Sequence, residues 1–299
     1  MGDGMTSAEA VGARTRDLTA RGARVLETEL GRVWYLVKGP GNAAQLTDGS
    51  APTLVFLPGL TADHRLFERQ LAHFAPRYRC LVWDPPSHGN SRPFACMWSM
   101  DDIARTLRAV IERERIERPV IIGQSMGGYV AQAYLDLYPG EASGFVSIDS
   151  CPLGRAYYTA FELWALRHTR GMYAVIPWRA LLAIGSFGVA QTAYGRALMR
   201  TMMEGYTKEE YLDLAACGYR ALADAVAANR PYVLGCPALL IYGERDAAGS
   251  AKRYNRAWAR RTGLPAHEIK GAGHNANADA PDEVNTLIEE FVGRLPRGC

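Results

Sequence analysis

The sequence predicts an α/β protein in which helices cover both faces of a mainly parallel central sheet, with a block of helices inserted late in the chain. Three observations carry that expectation. From residue 53 onward, short runs with strand character alternate with segments of helical periodicity. The first of these, Thr53-Leu-Val-Phe-Leu57, is apolar almost throughout, as a strand buried on both faces must be. The rhythm then lapses over 151–230, where helical segments and turns occur without a convincing buried strand.

Residues 1–23 form a polar leader with no apolar run long enough for a signal-peptide core, so a cytoplasmic location is expected. Its Gly2 and Thr6 match the N-myristoylation pattern by letter, but Asp3 and the second possible start at Met5 favour chance. Arg24–Glu29 and Val33–Lys38 read as a hairpin around Leu30-Gly31-Arg32. The Gly, Asn, Asp and Pro cluster of 39–52 is a surface loop leading into the buried strand at 53–57. Further strands are expected at 78–84, 119–123, 144–149, 238–242 and 266–270, and helices at 64–75, 100–117, 126–138, 250–262 and 281–294. The domain reading is a core of 24–150 and 231–299 interrupted by a helical cap at 151–230.

Composition excludes several classes of function. Hydrophobic residues at 48% and charged residues at 22% argue against a disordered, collagenous or coiled-coil chain. Basic and acidic residues number 34 and 31, and the arginines are scattered, so no basic block exists to neutralise nucleic-acid phosphates. The least polar stretch, 180–195, falls short of the roughly 20 apolar residues that span a bilayer, and no transmembrane helix is expected. Cysteines at 80, 96, 151, 217, 236 and 299 show neither a C-x-x-C pair nor zinc-like spacing with histidine, which suits free thiols in a reducing compartment.

The chemistry centres on Gly123-Gln124-Ser125-Met126-Gly127-Gly128, which follows the apolar run Val120-Ile121-Ile122 and opens a helix-like segment. A G-x-S-x-G between strand and helix forms a sharp elbow that lifts the serine hydroxyl above the sheet. A serine needs a base, and the base a third group to orient it. Of six histidines, His274 lies in a flexible loop after a strand, Gly271-Ala-Gly-His-Asn275, with His88 in a turn as its rival. For the acid, Asp246 follows the strand Ala238–Tyr242; Asp149, at the end of an earlier strand, and Glu244 are the alternatives. Acyl transfer also needs donors for a developing oxyanion, worth roughly 3 to 4 kcal/mol each. The amides of Met126 and of Leu60, in the turn Pro58-Gly59-Leu60-Thr61, are the candidates, with Thr61 next in line.

Five ordered landmarks, Leu57-Pro58-Gly59-Leu60, Asp84–Ser91, Gly123–Gly127, Gly243-Glu244-Arg245-Asp246 and Gly273-His274, give the chain a resemblance over 24–294 to capped serine enzymes of the α/β-hydrolase superfamily. The chain departs from that pattern where the family often has His-Gly, here Pro58-Gly59, and an Arg-Gly-His-Gly-like turn, here Pro86-Ser87-His88-Gly89. The resemblance implies the α/β-hydrolase fold, a Ser125-His274-Asp246 triad and a lid over the nucleophile, with no metal or organic cofactor. Ser125 argues against dehalogenase or epoxide-hydrolase chemistry, in which similar proteins use aspartate at the elbow.

Within the cap, Tyr157, Phe161, Trp164 and Trp178 are expected to shape the substrate pocket, although the spacing of 157, 161 and 164 taken alone favours the buried face of a helix. The reading is a serine esterase (carboxylesterase) acting on small to medium apolar esters. The alternatives are a carbon-carbon hydrolase, a monoacylglycerol-lipase-like enzyme, and a slowly turning ligand sensor. An exposed apolar cap would also suit a homodimer or contact with a membrane surface.

Overall fold

The structure, a computed structural model, describes residues 22–40 and 51–296. The Gly2 and Thr6 pattern, all but the last two residues of the leader, most of the 39–52 loop and Cys299 lie outside the described residues.

Eight strands form one sheet: β1 (Ala23–Thr28), β2 (Gly31–Lys38), β3 (Leu54–Leu57), β4 (Cys80–Trp83), β5 (Val120–Gln124), β6 (Gly144–Ile148), β7 (Ala238–Gly243) and β8 (Ala266–Ile269). Their spatial order is β1-β2-β4-β3-β5-β6-β7-β8. The β1–β2 hairpin is antiparallel and joins β4 antiparallel, while every pairing from β4 to β8 is parallel. Strands β3 to β7 are buried along their whole lengths, which is why their sequences are apolar without alternation. The order reverses beside β3, and a crevice at the carboxyl ends of the strands is where such sheets place their sites. Register sets the ends of β3, β5, β6 and β7 close to level, with Leu57 opposite Gly123, Gln124 opposite Ile148, and Ile148 opposite Ile241.

The core helices are α1 (Glu68–Phe74), α2 (Met100–Arg113) and α3 (Met126–Leu137), followed late in the chain by α9 (Ala251–Thr262), α10 (Ala276–Asp279) and α11 (Pro281–Arg294). In α2, Met100, Ile103, Ala104, Leu107, Val110 and Ile111 are buried at helical spacing, and Ser99 caps the first turn in a reciprocal box with Asp102. Two expected helices are shorter than their periodicity suggested. The segment from His64 begins as a 3-10 turn, because Asp84 Oδ1 accepts both the His64 amide and its ring nitrogen. Helix α2 stops at Arg113, where Glu114 turns inward to bind Arg24, Tyr35 and Arg79, and Arg115 takes φ 51°.

Between β6 and β7 lie a 3-10 turn (Arg155–Tyr157), five α-helices and no strand: α4 (Ala160–Arg167), α5 (Thr169–Ala174), α6 (Trp178–Val189), α7 (Ala193–Met203) and α8 (Lys208–Ala227). Thr159 and Thr207 cap α4 and α8 through boxes with Glu162 and Glu210. The insertion is tied to the core at both of its flanks. Glu162 Oε1 accepts Ser250 Oγ at 2.9 Å and Arg253 at 2.8 Å, while Asp279 accepts the amides of Gln191 and Thr192. Among the described residues no helix is long and apolar enough to cross a membrane.

Candidate active site

Ser125 sits between β5 and α3 with φ 49° and ψ −115°, a conformation that costs of order 1–3 kcal/mol and persists only where its surroundings enforce it. Here the enforcement is steric. A Cβ at Gly123 would stand 2.4 Å from the carbonyl carbon of Gly127, and one at Gly127 would stand 1.9 Å from the Leu57 carbonyl oxygen. The Ser125 amide donates to the Ile148 carbonyl at 2.9 Å, so the elbow hangs from the neighbouring strand.

The side chain meets His274, whose Nε2 is 2.9 Å from Ser125 Oγ. On the other side of the ring, Nδ1 lies 3.0 Å from both carboxylate oxygens of Asp246. Burial alone would lower the imidazole pKa; the Asp246 charge and hydrogen bond, joined by the Asp149 charge, outweigh it and raise the value to about 8. The structure thus brings Ser125, His274 and Asp246 into one chain of contacts.

Asp149 ends on the same rim but is used differently. Its Oδ1 accepts the Gly243 amide at 2.7 Å and its Oδ2 the Ala276 amide at 2.8 Å, which clamps the end of β7 to the loop carrying His274. Burial, followed by the nearby Asp246 charge, drives its pKa well above the ordinary carboxylate value. Glu244 is turned away, accepting the Gly271 amide at 2.8 Å.

Three supporting residues escaped the sequence reading. Gln124 Nε2 donates to the His274 carbonyl at 2.8 Å and to Asn275 Oδ1 at 3.1 Å, so the residue before Ser125 steadies the loop carrying His274. The Asn275 amide donates in turn to the Val189 carbonyl at the end of α6. Asp279 Oδ2 accepts the Gly273 amide at 2.8 Å while also holding the turn at Gln191. Gln124 lies inside the G-x-S-x-G motif and was visible there; the direction of its side chain was not.

Above Ser125 and His274 opens a cavity of about 540 Å³ shared by the sheet rim and the insertion. Its walls are mostly apolar, with Tyr129, Tyr158, Tyr173, Tyr211 and Tyr219 among them. The aromatics expected to shape it stand elsewhere. Phe161 and Trp164 are 72% and 52% exposed and stack on each other on the outside of α4, Tyr157 lies beneath Arg261, and Trp178 packs on Tyr211 behind the wall. The reason is helical phase: the face of α4 that turns inward carries Leu163 and, at the cavity, Glu162, Ala165 and Leu166. Leu60 and Met126 both line the cavity, and neither of their amides is engaged by another described residue.

Three other histidines are engaged away from Ser125. His88 is fully buried with Nδ1 against the Pro86 carbonyl at 2.9 Å, and burial lowers its pKa to about 4. His73 faces Glu289, and His168 Nδ1 faces the Trp164 carbonyl. Asp63, His64 and Asp84 form a grouping with ligand atoms close enough for a cation. Those atoms are already used: Asp63 pairs with Arg65, and Asp84 binds His64 and the Asn90 amide.

A sequence model of the Alpha/beta hydrolase family matches residues 54–287. A 2-hydroxy-6-oxononadienedioate/2-hydroxy-6-oxononatrienedioate hydrolase of Paraburkholderia phymatum is 25% identical, over 94% of this chain and 98% of its own. Among solved structures, the enol-lactonase of Burkholderia xenovorans superimposes with a TM-score of 0.73 at 20% identity, covering 91% of this chain and 100% of that one. A thermophilic esterase of Thermogutta terrifontis gives 0.69 at 18% identity, covering 91% and 98%. The chain belongs to the alpha/beta hydrolase family.

Proposed function

We propose that this alpha/beta hydrolase is a serine hydrolase that cleaves carboxylic esters of small to medium apolar acids. The observation that carries the reading is the contact chain Ser125 Oγ to His274 Nε2 at 2.9 Å and His274 Nδ1 to Asp246 at 3.0 Å, opening into a mostly apolar cavity. Ser125 attacks the ester carbonyl as His274 takes its proton. Asp246 holds the ring in the tautomer that leaves Nε2 free to accept, and stabilises the imidazolium that forms. The free amides of Leu60 and Met126, the latter at the N-terminus of α3 where the helix dipole adds to the field, meet the oxyanion. His274 then returns the proton to the leaving alcohol, and water activated by the same ring releases the acid from Ser125. The helical insertion acts as a cap over this chemistry.

The cavity also bears on which relative's chemistry fits. The Paraburkholderia relative is named for a dioate, a substrate with two carboxylates. No lysine or arginine is among the described residues lining this cavity, whereas Glu162 is, and its pKa is lowered to about 2: burial opposes this, but bonds from Tyr254, Thr159 and Ser250 prevail. Lys252, Arg253 and Arg256 line an adjoining surface hollow, which shares Gly249 and Ser250 with the cavity, and bind the Glu244 carbonyl, Glu162 and Glu268. A dianion would therefore meet no lysine or arginine in the lining, beside a carboxylate already paired with Arg253. An uncharged ester meets no such cost.

Steady-state turnover of p-nitrophenyl esters of graded chain length, beside a vinylogous diketone with terminal carboxylates, tests this. Rapid ester turnover with fluorophosphonate labelling at Ser125 is expected; preferential cleavage of the diketone would replace the ester reading with carbon-carbon hydrolysis. Labelling without turnover would identify a ligand sensor.

A further inference from the structure

The surface hollow beside the cavity measures about 540 Å³ and is lined by Lys252, Arg253, Arg256 and Arg260 of α9, with Gly249 and Ser250 ahead of the helix. Residues 252, 256 and 260 recur at intervals of four and 253 sits beside them, so all four cations share the face opposite the buried Tyr254, Asn255 and Trp258. Their charge is only half matched. Arg253 binds Glu162 at 2.8 Å, while Lys252 and Arg256 share Glu268 at 3.4 and 2.7 Å. Arg260 is exposed and has no ion-pair partner among the described residues. Asp246 also reaches the hollow, but its side chain is fully buried against His274. Four lining cations thus answer to two carboxylates, and the surplus is close to the charge of a phosphate monoester near neutral pH.

Position decides which part of a substrate meets this charge. Gly249 and Ser250 border the hollow and the cavity alike. Asp246 lines the hollow and stands 3.0 Å from His274 Nδ1, across the ring from the nitrogen that contacts Ser125. The group that His274 protonates as it departs therefore leaves on the side nearer the hollow. We propose that this leaving group carries a phosphate, held in the hollow by Lys252, Arg256 and Arg260 while the uncharged acyl chain fills the cavity. Guanidinium groups suit that task, since their paired N–H donors meet two oxygens of one phosphate.

The phosphate is a handle and is not cut. Attack by Ser125 breaks the bond from the acyl carbon to the leaving oxygen, or to sulfur in a thioester, and that atom departs with the proton held by His274. Water then supplies a hydroxyl to the acid and, through His274, the proton that restores Ser125. The products are a free carboxylic acid and a phosphate-bearing alcohol or thiol. A glycerol phosphate and a long phosphorylated thiol such as coenzyme A both meet that description.

The proposal rests on the esterase reading and names its leaving group. The experiment measures kcat/KM at low salt for octanoyl esters of glycerol and glycerol 3-phosphate, and for octanoyl thioesters of N-acetylcysteamine and coenzyme A. In one pair the phosphate-bearing member should lead by about tenfold, which identifies the leaving group, and added salt should erase most of the lead. Arg256→Gln combined with Arg260→Gln should bring that ratio near one, whereas Arg294→Gln, the loss of a charge on α11, should leave it in place. Arg260→Gln alone, at an exposed and unpaired side chain, should lower the ratio about threefold and carries the test if the double variant does not fold. A ratio near one in both pairs, or a preference that survives the loss of Arg256 and Arg260, would overturn the proposal; so would equal turnover of an octanoyl ester whose alcohol ends in a carboxylate. If no substrate is cleaved, the esterase reading fails, and calorimetry with octyl phosphate still decides this one. Octyl phosphate should bind about tenfold tighter than octanol, with the difference lost in the double variant; equal affinities would overturn the site.

Discussion

The carboxyl rim of the sheet and the helical cap above it obey different tolerances. At the rim, Ser125 and Asp149 both hold positive φ, Gly127 touches the Leu57 carbonyl, and buried polar groups such as Gln124 and Asp149 each serve two partners. In the cap, Phe161, Trp164, Val175, Ile184 and Phe187 are exposed, and a Cβ added at Gly171 or Gly188 would meet nothing. A rim assembled from mutually dependent contacts fixes reacting atoms to fractions of an ångström, whereas a cap of apolar helices defines volume. Chemistry is therefore expected to be brittle below the cavity and specificity plastic above it.

The largest expected effect falls on the rim: Ser125→Ala removes the proposed nucleophile and should lower kcat roughly 10⁵-fold or more, read with an activated ester. Next comes the contrast between the two acids. Asp246→Asn should cost about 10⁴-fold in kcat with folding nearly intact. Asp149→Asn presents an NH₂ to one of two amide donors, and should cost about 2 kcal/mol of stability but less than about tenfold in kcat. Equal kinetic losses in the two variants would erase the distinction drawn between them.

The pH profile sharpens the same point. In the proposed mechanism His274 must be neutral to accept the Ser125 proton, and its pKa is raised to about 8. The ratio kcat/KM should therefore be low in acid, rise about tenfold per pH unit and level off above about 8. Residual activity of Asp246→Asn should show that limb displaced to lower pH, because the charge that raised the pKa is gone. Gln124→Ala, which releases the loop carrying His274, should lower kcat by about tenfold, with a smaller change in KM. The smallest effect belongs to the cap exterior: Phe161→Ala and Trp164→Ala should alter kcat/KM by less than about twofold, whereas Tyr219→Ala in the wall should shift the preferred acyl length.

Much of this was legible beforehand. The apolar runs at 54–57, 120–122 and 238–242 can be satisfied only by strands covered on both faces, and α11 begins and ends where Pro281 and Arg294 signal. The elbow was legible because its constraint is local, two glycines around one serine. The end of α2 was not, since Glu114 leaves the helix for Arg24 and Arg79, partners distant in the chain.

The sequence by itself determined the strand and helix order, the elbow at Ser125 and the small set of groups able to serve it, because steric strain and hydrophobic period act over a few residues. Tertiary structure alone decided which of Asp149 and Asp246 contacts His274. Both follow neighbouring parallel strands and reach the same rim, but strand register puts Asp149 between two backbone amides and leaves Asp246 facing the imidazole. It also turned Phe161 and Trp164 outward and gave the cavity wall to tyrosines such as Tyr129 and Tyr219. Helical spacing defines which residues share a face; only the packing of one helix on others defines which face looks inward.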